Sequence, residues 1–418
     1  MTSTQTPSCL RRTMSAVCTM VLAVALFHAT TLAEDWPARM KDVRRGGITS
    51  EPVTLPLACA WKYTTNRAPA PAWTESPARH DYLHKHYEMK PRQHFDRCFD
   101  VAVVDNRVYF GSSTSGAVTC LDAQDGGKTL WTFFTGGPVR FAPHVHDGRV
   151  YFGSDDGYVY CLHAEDASVV WKYRTGPSNE KLWGNEHMIS VWPVRTSVLV
   201  DGNEVYFTAG LFENEGMFLC KRTAADGAEV WTKTPVRPHQ GYLAATADLL
   251  FAPSGKGMTA VYRRADGHCL GDLAGSNRDG GCWTLIAPEE DEVFAGPTLD
   301  GDAQQFEVDG RKRIAVLGGA NCLIAESAAA YCCTDESLLK LSRADRAAVW
   351  TQNAAYPFAL IKAGGHLFAG GKGEVAALDA KTGDILWKAP VDGDVYGLAA
   401  AGGALYVSTD SGTIYRFE

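Results

Sequence analysis

Arg140 lies in PVRFAPHV and Arg195 in ISVWPVRTSV, at comparable points of two neighbouring stretches. A guanidinium is a planar fork of donors that matches carboxylate, sulfate or phosphate groups. With His187, Trp192, Gln240, Asn277 and Arg278, these two arginines form a candidate pocket for an anionic ligand. The indole of Trp192, or of Trp183, could stack on a sugar ring. The plain alternative is that Arg195 pairs with an internal carboxylate and Trp192 packs into an apolar plug. His187 has the titration range of a general base, and Glu186 or Glu180 could act as its acid partner. Nothing in the spacing selects these groups over other polar residues.

A second set of chemistry-bearing side chains lies in residues 64–98, TTNRAPAPAWTESPARHDYLHKHYEMKPRQHFDRC. His84, His86 and His94, with His80 and Asp81 nearby, are of the types that ligate a transition metal. They follow no tight ligand spacing, and the competing reading is a loop that caps one end of the fold. The adjacent pair Cys332–Cys333 is a candidate vicinal disulfide, or two packed thiols. GxSxG, HExxH, P-loop and CxxCH motifs do not occur, which leaves a serine-hydrolase elbow, a zincin helix, a nucleotide cradle and a c-type haem without support.

These groups hang on a strongly repetitive chain. Residues 148–173, GRVYFGSDDGYVYCLHAEDASVVWKY, contain three strand-like bursts separated by turn residues. Related stretches occur at 107–131, 204–231 and 366–387. Weaker copies occupy 249–273 and 329–350, a divergent one 283–316, and a closing one 396–418. Trp131 and Trp171 are 40 residues apart, Trp350 and Trp387 are 37 apart, and this is the period of a four-stranded propeller blade. The spacing predicts an all-β fold, an eight-bladed β-propeller of four-stranded antiparallel blades. The last copy stops before its outer strand, and LACAWKY at 57–63 supplies a strand with Trp61. The N-terminal strand is thus expected to complete the C-terminal blade and close the ring. Trp61, Trp131, Trp171, Trp231, Trp350 and Trp387 are read as packing residues between blades, as are Cys120, Cys161 and Cys220.

Bulk properties narrow the classes further. The 418 residues are 45% hydrophobic, enough for a large core, and the net charge of -8 argues against a general nucleic-acid surface. Arg11 and Arg12 precede a short apolar run that ends in TLA, the pattern of an export signal. Cleavage is expected after Ala33, leaving residues 34–418 as one propeller domain with no stable transmembrane segment. That domain carries two departures from the repeat, a capping insertion at 64–98 and an inter-blade insertion at 174–192.

The pattern VYFGSxDGxVYCLxAxxxxxxW resembles the PQQ-like, quinoprotein-type repeat, and KGEVAALDAKTGDILW matches it best. The resemblance covers most of residues 57–418. ISVWPVRTSVLVDGNEVYFTAGLFENEG further resembles exported propellers of planctomycete-type bacteria. The family resemblance implies the propeller fold and admits two functions. One is a non-enzymatic scaffold in the periplasm or outside the cell, binding a protein or glycan partner, with no cofactor expected. The alternative is an enzyme, either a PQQ-dependent dehydrogenase with Ca²⁺ or one acting on anionic glycans at the central channel. The dehydrogenase relatives place a vicinal disulfide beside the quinone, together with acidic and Asn ligands for Ca²⁺. No matching aromatic and acidic set surrounds Cys332–Cys333, and the large insertions of those enzymes are missing.

Overall fold

The computed structural model describes residues 1–2, 34–73, 92–93, 95–255, 257–276 and 279–418. The export signal, His84, His86, His94, Asn277 and Arg278 lie outside the described residues. The chain divides into two units, Met1–Leu32 and Ala33–Glu418, and the strands of the described residues lie in the second.

Alternating, β-branched and aromatic bursts between Gly- and Asp-rich turns give consecutive antiparallel strands. Residues 101–134, 144–174, 199–233, 244–272, 283–317 and 322–352 each form a four-stranded antiparallel sheet. The divergent stretch near 283–316 is among them, with strands from Trp283–Ile286 to Arg313–Leu317. An eight-stranded sheet contains the first two strands of the chain and the last six. Its 17-residue strand Ile385–Ala401 pairs in its first part with Lys372–Asp379 and in its second with Ala404–Thr409, so it joins two four-stranded antiparallel halves, the first of which carries Ile48–Thr49 as a short parallel edge. Cys59–Thr64 pairs antiparallel with Thr413–Phe417, the terminal strand, and Ala58 and Glu418 exchange backbone hydrogen bonds of 2.8 and 3.0 Å. The only helix among the described residues is a 3-10 turn, Glu213–Glu215.

The recurring tryptophans sit at the joints between sheets. Each indole N–H donates to a carbonyl in the next sheet or half-sheet: Trp131 to Ala164 (3.0 Å), Trp171 to Ala224 (3.0 Å), Trp231 to Arg264 (3.1 Å) and Trp350 to Ala380 (3.4 Å). Trp387 reaches Leu57 (2.9 Å), and Trp61 reaches Ala123 of the first sheet (2.8 Å). The ring face of Trp61 lies against Gly127, where an added Cβ would meet it at 2.9 Å. Cys120, Cys161 and Cys220 are buried in the apolar layers between sheets.

ISVWPVRTSV, which carries Arg195, does not supply the inner strand of the third sheet; that strand is Leu199–Asp201. Lys181–Gly184 and His187–Ser190 instead form a separate two-stranded hairpin. Asn185 and Glu186 form its two-residue loop, with φ of 51° and 61°, the conformation that matches hairpin twist. Pro193 follows and has no N–H to give a ladder.

Candidate functional site

Arg140 and Arg195 do meet, but on a carboxylate of their own chain. Asp155, in the SDDG turn, accepts from Arg140 Nε at 2.7 Å and from Arg195 Nε and Nη2 at 2.8 and 2.9 Å. Arg140 Nη1 donates to Asp96 at 2.5 Å and to the Ala70 carbonyl at 3.0 Å. Arg195 Nη2 also donates to Asn185 Oδ1 at 2.8 Å. All four charged side chains are at least 98% buried, and two cations balance two anions. Burial raises the Asp155 carboxyl, but the two guanidinium groups override it and hold it below the usual range. Burial dominates at Asp96 and lifts it to about 6.

This knot ties together the two departures from the repeat. Asp96 also accepts from the Ala72 N–H at 3.0 Å, and Asn185 Nδ2 donates to the Ala72 carbonyl at 2.8 Å. Ser190 N–H donates to the Asp155 carbonyl at 2.7 Å. The described ends of the 64–98 insertion and the Lys181–Ser190 hairpin are therefore joined through the two arginines that pair with Asp155. Phe95 stacks on Phe141 (centroids 5.0 Å apart), and Phe141 meets Tyr242 edge-on, which seats the insertion on the fold. The guanidinium groups expected to await an external anion are paired from within, and Arg140 Nη2 is left without a hydrogen-bond partner among the described residues.

The other sequence candidates are dispersed. Trp192 is buried, donates to the Glu215 carbonyl at 2.6 Å, and packs on Gly176, where a Cβ would lie 2.3 Å from the indole. Gln240 is buried and accepts from Trp73 Nε1 at 2.9 Å. His187 lies on the hairpin, where its side chain has no hydrogen-bond partner among the described residues. Among the described residues, no three His, Cys, Asp or Glu side chains converge as a metal set. Cys332 and Cys333 are free, buried thiols in the strand Ala329–Cys333. Successive residues of a strand face opposite sides: Cys332 packs with Leu285 and Phe294, Cys333 with Leu338 and Leu360. They sit in two different cores, not in an S–S bond. The pair does not fit the role of a platform for a quinone.

One feature escapes the sequence reading, and a second was seen there only as a lone Trp183. Residues 36–49 form a strap across the inner strands of several sheets. Trp36 and Val103 exchange backbone bonds (2.7 and 2.8 Å), and Val145, Ala245, Ile286 and Lys362 donate to Pro37, Val43, Arg44 and Gly47 at 2.8–2.9 Å. Beside it is a cavity of about 240 Å³, bounded by Arg39 and Arg45 of the strap and by Tyr242, Trp283, Phe358 and Tyr396; neither Cys332 nor Cys333 lines it. Arg39 lies over the Tyr242 ring at 4.5 Å and pairs with Asp100, which also accepts from Tyr242 OH at 2.9 Å. The second feature is the exposed face of the hairpin. Trp183 stands directly across from Met188, and the two are 71% and 48% exposed.

Successive four-stranded antiparallel sheets, packed face to face with outer-strand tryptophans at their joints, define a β-propeller. Within that class the chain belongs to the PQQ-like repeat family. The family profile described as outer membrane protein assembly factor BamB matches residues 70–209 and 334–418. No curated protein matches the chain. Among solved structures it is similar to BamB from Moraxella catarrhalis, at 14% identity and TM-score 0.58, covering 87% of this chain and 97% of that one. It is also similar to a europium-containing methanol dehydrogenase, at 12% identity and TM-score 0.62, covering 89% of each. The quinohemoprotein alcohol dehydrogenase of Comamonas testosteroni aligns at 14% identity and TM-score 0.64, over 92% of this chain and 80% of that one. At these identities the likeness carries the fold.

Proposed function

We propose that this chain is an exported eight-bladed propeller that acts as a protein-binding scaffold, presenting the Lys181–Ser190 hairpin to its partner. The Trp183–Met188 pair carries the reading. A large aromatic ring and a polarizable thioether face each other across two strands, both open to solvent, on an element outside the blade repeat. Trp is among the residue types most enriched at binding hot spots, and thioethers adapt to irregular apolar partners. The ion-pair knot adds rigidity, since a pre-ordered hairpin loses little freedom on docking. The eight-blade count rests on six four-stranded sheets plus the two halves of the eight-stranded one. Ring closure rests on the pairing of Cys59–Thr64 with Thr413–Phe417 and the Trp61 bond to Ala123. Export to the periplasm or beyond rests on the N-terminal signal pattern, and the BamB likeness supports a protein partner. Among the described residues no helix is long and apolar enough to cross a membrane.

The test places a photo-cross-linking amino acid at position 183 and, as a control, at Val316, an exposed residue on an outer strand. A discrete protein adduct at 183 and none at 316 is expected. Trp183→Ala with Met188→Ala should abolish the adduct formed from a neighbouring exposed position such as Lys181 without moving the melting temperature. Equal labelling at 183 and 316 would refute the hairpin as the docking element. Binding to a polysaccharide that depends on Trp183 would assign a glycan partner instead.

A further inference from the structure

Glu51 is a buried carboxylate, 7% exposed, with no cationic partner among the described residues. Its Oε2 accepts from two backbone amides, Gly402 N–H at 3.1 Å and Glu34 N–H at 3.0 Å. A buried carboxylate without a cation is costly. Glu34 is also the residue that follows the expected signal cleavage. Its own side chain is fixed by the strap: Thr49 Oγ1 donates to it at 2.8 Å, and Ser50 and Lys41 also hold it.

We infer that the Ala33–Glu34 bond is a processing site and that Glu51 is the receptor for the α-ammonium group that processing releases. Hydrolysis adds one water across the amide. The acyl carbon ends as the Ala33 carboxylate, and the nitrogen, protonated, ends as the new terminus on Glu34. The backbone N–H at 3.0 Å from Glu51 becomes a cation at the same place, and the unpaired buried charge gains its counter-ion. Processing thereby locks the strap, which begins two residues later at Trp36. The inference rests on the export part of the proposed function and not on the hairpin.

The ion pair has a pH signature. An α-ammonium titrates ordinarily near 8, and a carboxylate at this distance raises that value. Its stabilisation is therefore complete below about pH 8 and is lost as the pH rises through the raised value. The other titratable groups facing it are the Glu34 carboxylate and Asp35 just before the strap, Lys41 on the strap, Asp105 in the first turn of the first sheet, and Tyr406 on the strand Ala404–Thr409. All of them are present whether the chain starts at Glu34 or one residue earlier.

Three measurements decide the inference. N-terminal sequencing of the exported protein should read Glu-Asp-Trp. A chain starting at Glu34 should melt about 1–3 °C above one carrying a single extra alanine before Glu34 at pH 7, and the gap should close by about pH 10. With Glu51→Gln in both, the gap should vanish. A different first residue overturns the processing site. A gap that survives Glu51→Gln, or does not change with pH, overturns the receptor. Neither result touches the scaffold reading, which stands or falls on the cross-link at position 183.

Discussion

Substituting Asp155 by Asn tests whether the buried knot is what fixes the two insertions. The Asp155 side chain has no exposed surface and accepts three charge-assisted hydrogen bonds of 2.7–2.9 Å from two arginines. Asn keeps one acceptor oxygen but turns an NH₂ towards guanidinium donors and leaves the two arginines with only Asp96 to balance them. Removing one member of a buried charge pair costs about 3–5 kcal/mol. With one acceptor retained, a loss of about 3 kcal/mol is expected. A domain of about 385 residues unfolds with an entropy on the order of 0.8 kcal/mol/K, so the melting temperature should fall by about 4 °C. The loss should also be local. Hydrogen exchange should quicken at Ala72 and Ser190, whose amides bond to Asp96 and Asp155, and stay unchanged in the 283–352 sheets. Adding Arg195→Met should recover part of the loss, because it removes the stranded cation. A melting point within about 1 °C of the parent, or a double variant no better than Asp155→Asn alone, would refute the reasoning.

Two further perturbations probe the blade joint and a buried imidazole. Gly126 and Gly127 both have positive φ (62° and 72°), but only Gly127 lies against Trp61. Gly127→Ala should therefore cost about 1–3 kcal/mol more than Gly126→Ala in denaturant titrations, and equal costs would show that the Trp61 joint is slack. His144 is buried and its Nδ1 accepts from Val200 N–H at 3.1 Å; burial, then Arg45 and His146, pull it down to about 3. Between about pH 6.5 and 3 the unfolded chain binds a proton that the folded one does not, so stability is lost as the pH falls through this window. His144→Asn retains an acceptor, and its melting curve should gain on the parent from about pH 7 to 4. Parallel curves would refute the assignment.

The repeat was legible because a blade's packing is written in local terms. Alternation sets the strands, Asp and Gly set the turns, and the recurring tryptophans, 40 residues apart at 131 and 171 and 37 apart at 350 and 387, mark the joints. What the sequence obscured was the identity of partners. Arg140 and Arg195 were singled out together as a candidate anion pocket, but an arginine's type does not say whether its anion comes from outside or from within. The answer was hidden in SDDG, where two adjacent aspartates divide the work. Asp156 accepts from Gly136 N–H, Tyr158 N–H and Tyr160 OH and builds the turn, while Asp155 faces the arginines. Read as a turn, the motif absorbs both.

The strap was invisible for a different reason. WPARMKDVRRGGITS has no apolar run and alternates only over Trp36, Ala38 and Met40, and its pairing runs through backbone groups to five strands distant in sequence. Backbone hydrogen bonding leaves no mark on residue type unless one side chain row faces a core. Only Trp36, with no exposed surface, and the buried Arg45 hint at it. Arg45 shows what a strap residue must supply. Its Nε, Nη1 and Nη2 donate to the Leu243 carbonyl, the Arg39 carbonyl and Ser197 Oγ, at 2.8–3.1 Å. One side chain thereby joins the strap to the chain around the third and fourth sheets, largely through carbonyl acceptors that every sequence has. The same logic separates the two halves of the functional reading. The blades could be found from pattern alone. The knot, the strap and the Trp183–Met188 face depend on which distant groups meet, and this requires the folded chain.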